Sequence, residues 1–368
     1  MRKIFTLAAA GVLAATTFGA QAQIILDGKV DATEIATTYM SGKYQLVSAY
    51  NGTHSVADHG LKALYVGTDA THLYIAVVGS FEQTTTYPGI VAYFNLPNKT
   101  GVAAGTKLAG GNDGQSPLKQ KPTMDFEVDY GIRLNVSPTG MANGYISSVD
   151  YTTGNPVAGV PDTYQGSVDK VGTKTTASAT SGPFLNWQAA YITSTSLAAN
   201  TANSAAEFQF DLANLGLTAS TPNIDMFVAY VNDGGIFTTD TFPPIVNQTT
   251  ALAADQDFTQ IAGKQFLTYQ IGTGVLATKV AASALSLSVY PNPVRGTSLV
   301  TYEVTDRASN VNIVLTDLLG RTVRTLENSL KPVGPQTTPV DVASLATGTY
   351  LMRVQVGDKV STSKVSVL

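Results

Sequence analysis

The chain has 368 residues, of which 44% are hydrophobic, 13% charged and none cysteine; the charged share is about half that of an average soluble domain. The length has room for two domains with cores of their own, and the missing cysteines exclude disulfides, thiol nucleophiles, thiolate metal sites and a lipid anchor on a cysteine. Charge divides unevenly, with 12 basic and 20 acidic residues over 23–284 against 8 and 6 over 285–368, and an acidic body repels phosphate backbones and anionic lipid, which argues against nucleic-acid or membrane-surface binding.

The opening stretch MRKIFTLAAAGVLAATTFGAQAQ reads as a secretory signal over 1–22. Arg2 and Lys3 form a basic start, Ile4–Phe18 a short apolar run, and Ala20-Gln21-Ala22 a small-residue cleavage site. The mature protein is expected to begin near Gln23. No other run approaches the ~18 apolar residues of a membrane span, so none is expected once the signal is removed.

Residues 23–271 read as an antiparallel β-sandwich. ALYVGTDATHLYIAVVGS, Ala63–Ser80, is two alternating runs joined by a polar turn, and so a hairpin. GIVAYFNLP is a strand stopped by Pro97. In TMDFEVDYGIRLNV a period of two puts Phe126, Val128, Tyr130, Ile132, Leu134 and Val136 on one face. Asp125, Glu127, Asp129, Arg133 and Asn135 fall on the other. Between Thr152 and Ser204 the pattern fades into a long loop or weak edge strands. AAEFQFDLANLGL turns Phe208, Phe210 and Leu212 inward before one helical turn at Leu212–Leu215. NIDMFVAYVNDGG is a buried strand that ends in a turn. Helical periodicity is nearly absent, so the fold class is all-β.

GTGVLATKVAASA, Gly272–Ala284, reads as a linker. After it, YPNP stops one element and alternating segments follow to the end, a small immunoglobulin-like β-sandwich over 285–368. Tyr290, Pro291, Asn292 and Pro293, Gly320 within DLLGRTV, Gly348 and Tyr350 within LATGTYLMRV, and the terminal Lys364 and Val365 carry a family pattern. By these residues the tail resembles the type A C-terminal sorting domain of the type IX secretion system. The resemblance implies two partners, an outer-membrane translocon that reads the tail and a signal peptidase that removes it. It also implies delivery through the periplasm to the cell surface or the medium.

The segments LDGKVDA, GLKALYVGTDATHLYIAVVG, FEVDYGIRLN, AAEFQFDLANLGL and FVAYVNDGGIFTTDTFPPI resemble the family-nine-like carbohydrate-binding modules and related DOMON-like sandwiches. That likeness implies a glycan ligand. Modules of this kind commonly clamp sugar between two tryptophans, whereas this chain has one, Trp187.

Sugar sites need flat aromatic faces for C–H groups and polar atoms for hydroxyls. FLNWQAAY supplies Trp187 and Tyr191 on one strand face with Asn186 and Gln188 interleaved, and Tyr87 sits in a separate loop; a core position is the ordinary fate of any one such aromatic. The acidic positions Asp125, Glu127 and Asp129, with Asp113 from GGNDGQS, are hard-oxygen candidates for calcium, and a solvated sheet face is their ordinary fate. No other cofactor is expected. His54, Asp58 and His59 share one loop, too little for a metal centre. No G-x-S-x-G elbow, H-E-x-x-H helix or phosphate loop is present. The expected protein is exported, non-catalytic and glycan-binding; the alternative is a structural or adhesive surface protein that binds other proteins. A chain ending at Ala284 is expected to remain in the periplasm, and surface labelling of cells that express it checks this.

Overall fold

The computed structural model describes residues 23–155, 159–176, 178–179, 182–219, 223–274, 285, 287–290, 292–304, 308–317, 321–357 and 359–368. The expected signal at 1–22, residues 275–284 of the linker, and Pro291 and Gly320 of the tail lie outside the described residues.

Alternating β-branched and aromatic residues make strands along almost the whole chain; helix among the described residues is limited to 3₁₀ turns of three residues. The body contains β1 (Tyr44–Ala49), β2 (Gly60–Thr68), β3 (His72–Ser80), β4 (Gly89–Asn95), β5 (Tyr130–Val136), β6 (Asn143–Asp150) and β7 (Asp162–Asp169). It continues with β8 (Thr175–Thr176), β9 (Gln188–Tyr191), β10 (Ala205–Asp211), β11 (Ile224–Val231), β12 (Phe237–Phe242) and β13 (Leu267–Tyr269). One sheet has the order β1-β2-β3-β10-β9-β8. The other runs β12-β11-β4-β5-β6-β7, with β13 also on β11. The expected hairpin is β2–β3, with Thr68 opposite Leu73. The faint region after Thr152 supplies β7, β8 and β9, of which β7 and β8 are sheet edges.

Between the sheets, Leu64, Val66, Ile75, Val77, Phe208 and Phe210 meet Ile90, Phe94, Ile132, Leu134, Met226 and Val228. The second sheet is buried on its other face as well. Val91, Tyr93, Phe227, Ala229 and Val231 pack there against Val102, Leu108, Leu118, Met124, Phe126, Val128 and Phe258. A strand buried on both sides reads as an unbroken apolar run, which is the pattern of MFVAYV, Met226–Val231, in β11. The first sheet is covered by the N-terminal segment: Ile24, Leu26 and Val30 lie on Tyr44, Tyr74, Ala76, Val78 and Ala205. Gly28 crosses there at φ +81°, where a Cβ would meet the Ile192 amide nitrogen at 2.5 Å, so no larger residue fits.

Two sequence expectations are corrected here. The alternation in TMDFEVDYGIRLNV does not define one strand. The strand begins at Tyr130; residues before it belong to the cover, where Val128 bridges to Val102 and Thr123 to Lys107. Phe126 and Val128 therefore enter the outer core, while Tyr130, Ile132, Leu134 and Val136 face the inter-sheet core. The second correction concerns Trp187 and Tyr191. They share a face, and it points inward: each is 1% exposed. Trp187 stacks on Phe208 and Phe210 at 5.9 and 5.5 Å, and Tyr191 lies 6.2 Å from Phe81. Burying large rings removes more apolar area from water than any sugar face would cover, so the core claims them. Asn186 sits exposed in the preceding turn at φ +61°, and Gln188 lies half-buried on β9 opposite Gln209.

The tail forms two sheets of its own. Its strands are β14 (Ser288–Tyr290), β15 (Thr297–Val304), β16 (Ser309–Thr316), β17 (Thr322–Lys331), β18 (Gly334–Asp341), β19 (Gly348–Val356) and β20 (Lys359–Val367). They run β14-β15-β18 and β17-β16-β19-β20, around a core that includes Leu285, Val300, Tyr302, Ile313, Met352, Val354 and Val365.

Truncating Trp187 opens a void between the sheets. Trp187→Ala is expected to lower folding stability by roughly 3–5 kcal/mol, read by urea denaturation with circular dichroism. A loss below about 1 kcal/mol would place the ring outside the core.

Candidate functional site

The cover reaches Gly131 of β5 and Val149 of β6, and beyond them the outward positions of β5, β6 and β7 change from apolar to polar. Tyr87, Gln115, Arg133, Asn135, Tyr145, Tyr164 and Asp233 line a groove of about 330 Å³ there. The register sets its floor: Asn135 on β5 faces Tyr145 on β6, Arg133 faces Ser147, and Ser147 faces Tyr164 on β7. Three tyrosines thus rise from two strands and a loop around an arginine and an amide.

The floor is held rigid. Arg133, only 7% exposed, donates from Nε to Ser147 Oγ at 2.6 Å and from Nη1 to Asn135 Oδ1 at 3.1 Å and the Tyr145 carbonyl at 3.2 Å. Its Nη2 lies 3.5 Å from Asp113 Oδ2. Burial depresses the Arg133 pKa, and Asp162 and Asp113 oppose that shift. Asn135 Nδ2 donates to the Tyr87 carbonyl at 3.0 Å, and the Tyr87 amide donates to Asp233 Oδ1 at 3.2 Å. The loop that carries Tyr87 is therefore tied to the floor on one side and to the β11–β12 turn on the other. Tyr164 is 55% exposed, an open ring beside fixed donors and acceptors. Such a surface can stack an apolar sugar face and bond hydroxyls at its edge.

Of the residues expected from sequence, Tyr87 and Asp113 belong to this place. Trp187, Tyr191, Asn186 and Gln188 do not. Arg133 and Asn135 were visible as outward positions, but nothing in the sequence marked them as a floor. Tyr145, Tyr164 and Gln115 were missed. The signal that could have found them is the polar interruption in a sheet otherwise apolar on both faces.

The acidic set is not brought together. Asp125 Oδ2 accepts from the Gln265 amide at 2.7 Å, Glu127 Oε1 from Gly101 at 3.0 Å, and Asp129 Oδ2 from Leu96 at 2.6 Å. Asp113 faces Arg133 instead. Each carboxylate holds a different piece of the cover, because these residues precede the strand rather than alternate along it. Among the described residues no three His, Asp or Glu side chains gather as a metal-holding group.

In the tail, Asn292 clasps the last strand. Its Nδ2 donates to the Lys364 carbonyl at 2.8 Å, and its Oδ1 accepts from the Ser366 amide at 2.9 Å. Val294 and Leu368 continue the pairing. Tyr350 donates from its hydroxyl to the Ala346 carbonyl at 2.8 Å across Gly348, Val365 is fully buried and Lys364 is exposed. Among the described residues, those that carry the family pattern thus sit on β14, β19, β20 and the Asn292 clasp.

Residues 288–368 match the family model of a secretion system C-terminal sorting domain. This tail is a type IX sorting domain. It marks the chain as cargo exported to the cell surface or the medium, and no helix among the described residues is long and apolar enough to cross a membrane. No curated protein matches the chain. Solved structures with some similarity include dimeric latent PorU from Porphyromonas gingivalis, at 12% identity and a TM-score of 0.22 over 89% of this chain and 34% of that one. A β-glucuronidase from Parabacteroides merdae has 9% identity and a TM-score of 0.21 over 88% and 30%. PorZ, a surface component of the type IX system of P. gingivalis, has 12% identity and a TM-score of 0.17 over 92% and 47%. The chain spans about a third of the length of the first two.

Asp129 is fully buried, and burial pushes its pKa up to about 6 against the pull of the Leu96 amide. Below about pH 4 it is protonated whether folded or unfolded and has no effect on stability. From there to about 6 the folded state keeps the proton longer, so stability falls as pH rises; above 6 the full cost stands, roughly 2–3 kcal/mol. Asp129→Asn should gain on the parent by that amount between pH 4 and 7 in urea titrations. A difference that does not vary with pH would assign the slope to another group.

Proposed function

We propose that this chain is a non-catalytic surface or secreted protein that binds a glycan in the groove over β5–β7. The observation that carries the reading is the set of Tyr87, Tyr145 and Tyr164 around the Arg133–Asn135 floor. Aromatic faces with few rotamers and a floor fixed by internal hydrogen bonds meet a polyhydroxylated ligand with little ordering cost. The sandwich resemblance noted in the sequence agrees with this use. On this reading residues 1–22 direct entry to the periplasm, the outer-membrane translocon takes up the tail, and its peptidase cuts in the linker.

The test is retention of the chain from Gln23 to Leu368 on a panel of insoluble polysaccharides, with affinities measured for those that hold it. Tyr145→Ala and Tyr164→Ala should each weaken binding about tenfold, the equivalent of ~1.4 kcal/mol. Unchanged affinity in both variants would move the site elsewhere. Retention on no polysaccharide, together with self-assembly of the chain, would favour the adhesive reading.

A further inference from the structure

A buried guanidinium at the floor of a groove is the usual device for gripping a carboxylate or sulfate. The surroundings of Arg133 point the other way. Its Nε and Nη1 are spent on Ser147, Asn135 and the Tyr145 carbonyl, and its Nη2 faces the Asp113 carboxylate. A second carboxyl group, Asp162, acts on its charge. Both oxygens of Asp162 are sealed from water and make no hydrogen bond of ordinary geometry; burial raises its pKa, and the Ser116 and Ser147 hydroxyls and the charge of Arg133 offset only part of that. A third, Asp233, sits exposed on the rim. Lys119, on the neighbouring 3₁₀ turn, is turned onto the Gly114 carbonyl at 2.9 Å. One guanidinium is thus set against three carboxyl groups.

Resting on the glycan reading above, we infer that Asp113 and Asp162 are specificity-determining residues: they neutralise Arg133, so that the groove accepts uncharged glycans and rejects those bearing uronate or sulfate. Arg133 then serves as a scaffold and neutral-hydroxyl donor. An incoming carboxylate would meet the aspartates in a partly desolvated place, where like charges repel more strongly than in water.

The experiment uses the chain from Gln23 to Leu368 and matched pairs of polysaccharides: glucan with glucuronan, galactan with polygalacturonate, mannan with polymannuronate. The parent chain should hold one neutral member at least tenfold more tightly than its uronate partner, and the gap should narrow in 0.5 M salt. In Asp113→Asn/Asp162→Asn the neutral-to-uronate affinity ratio should fall at least tenfold. Because Asp162 is sealed in the sheet, Asp113→Asn alone, at a half-exposed position, is the second variant, with a threefold fall expected. A parent chain that prefers uronates while remaining sensitive to Tyr164→Ala overturns this inference and leaves the glycan reading standing. So does an unchanged ratio in a variant that keeps the parent's circular dichroism. Silence on every pair, neutral and acidic, overturns the glycan reading and this inference with it.

Discussion

The second sheet of the body is apolar on both faces, and most of the architecture follows from covering it. A sandwich needs only one buried face per sheet. Here β4 and β11 carry Ile90, Phe94, Met226 and Val228 on one side and Val91, Tyr93, Phe227 and Val231 on the other. Leaving the second set in water would be costly, so the long connection between β4 and β5 folds back over it. The segment around Phe258 completes the cover. This cover has little regular structure of its own, so its backbone amides need partners. Asp125, Glu127 and Asp129 supply three of them. The groove exists where the cover ends, because β5–β7 are the part of the sheet whose outward residues are polar enough to face water.

A chain with few charges places several of them inside. Glu207, fully buried, accepts from the amides of Asp27 and Gly28 and from the Tyr44 hydroxyl, which pins the N-terminal segment to the first sheet. Burial still wins, and its pKa is pushed up to about 8. Lys170 and Glu82 pair at 2.8 Å with both side chains nearly buried, and Lys170 also reaches the Ser137 and Pro138 carbonyls. Asp240 receives the Leu61 amide and faces His54 at 2.6 Å. Each group ties an irregular segment to a sheet. Such pairs add little net stability, but removing one partner strands the other, so they enforce one arrangement of the loops.

How much of this was legible in the sequence depended on how local the signal was. The β2–β3 hairpin, β4, β10 and β11 could be read directly, since alternation and turn residues act over a few positions. The tail was legible for the same reason. The misreadings were all non-local. Phe126 and Val128 keep the same period as Tyr130 and Ile132, yet a break at Tyr130 sends them to a different core. Trp187 has the spacing of an exposed platform, and only the arrival of Phe208 and Phe210 from β10 makes it core. The groove joins residues from β5, β6, β7 and three loops, and no short motif spans that set. Arg133 was readable as outward-facing; that it is roofed, bonded to Ser147 and set against Asp113 and Asp162 depends on strand order.

The tail shows how a sorting signal can be a folded object rather than a linear one. Asn292 lies at the start of the tail and Lys364 at its end, and the two are joined by side-chain-to-backbone hydrogen bonds on β20. Tyr350 is on the neighbouring strand β19, whose register places it opposite Val365. A receptor that read only the last few residues would gain nothing from this closure. One that reads the closed sheet would depend on β20 having paired with β19 and with Asn292. The clasp therefore brings Asn292 and Lys364, 72 positions apart, together only when β20 lies in its place in the sheet.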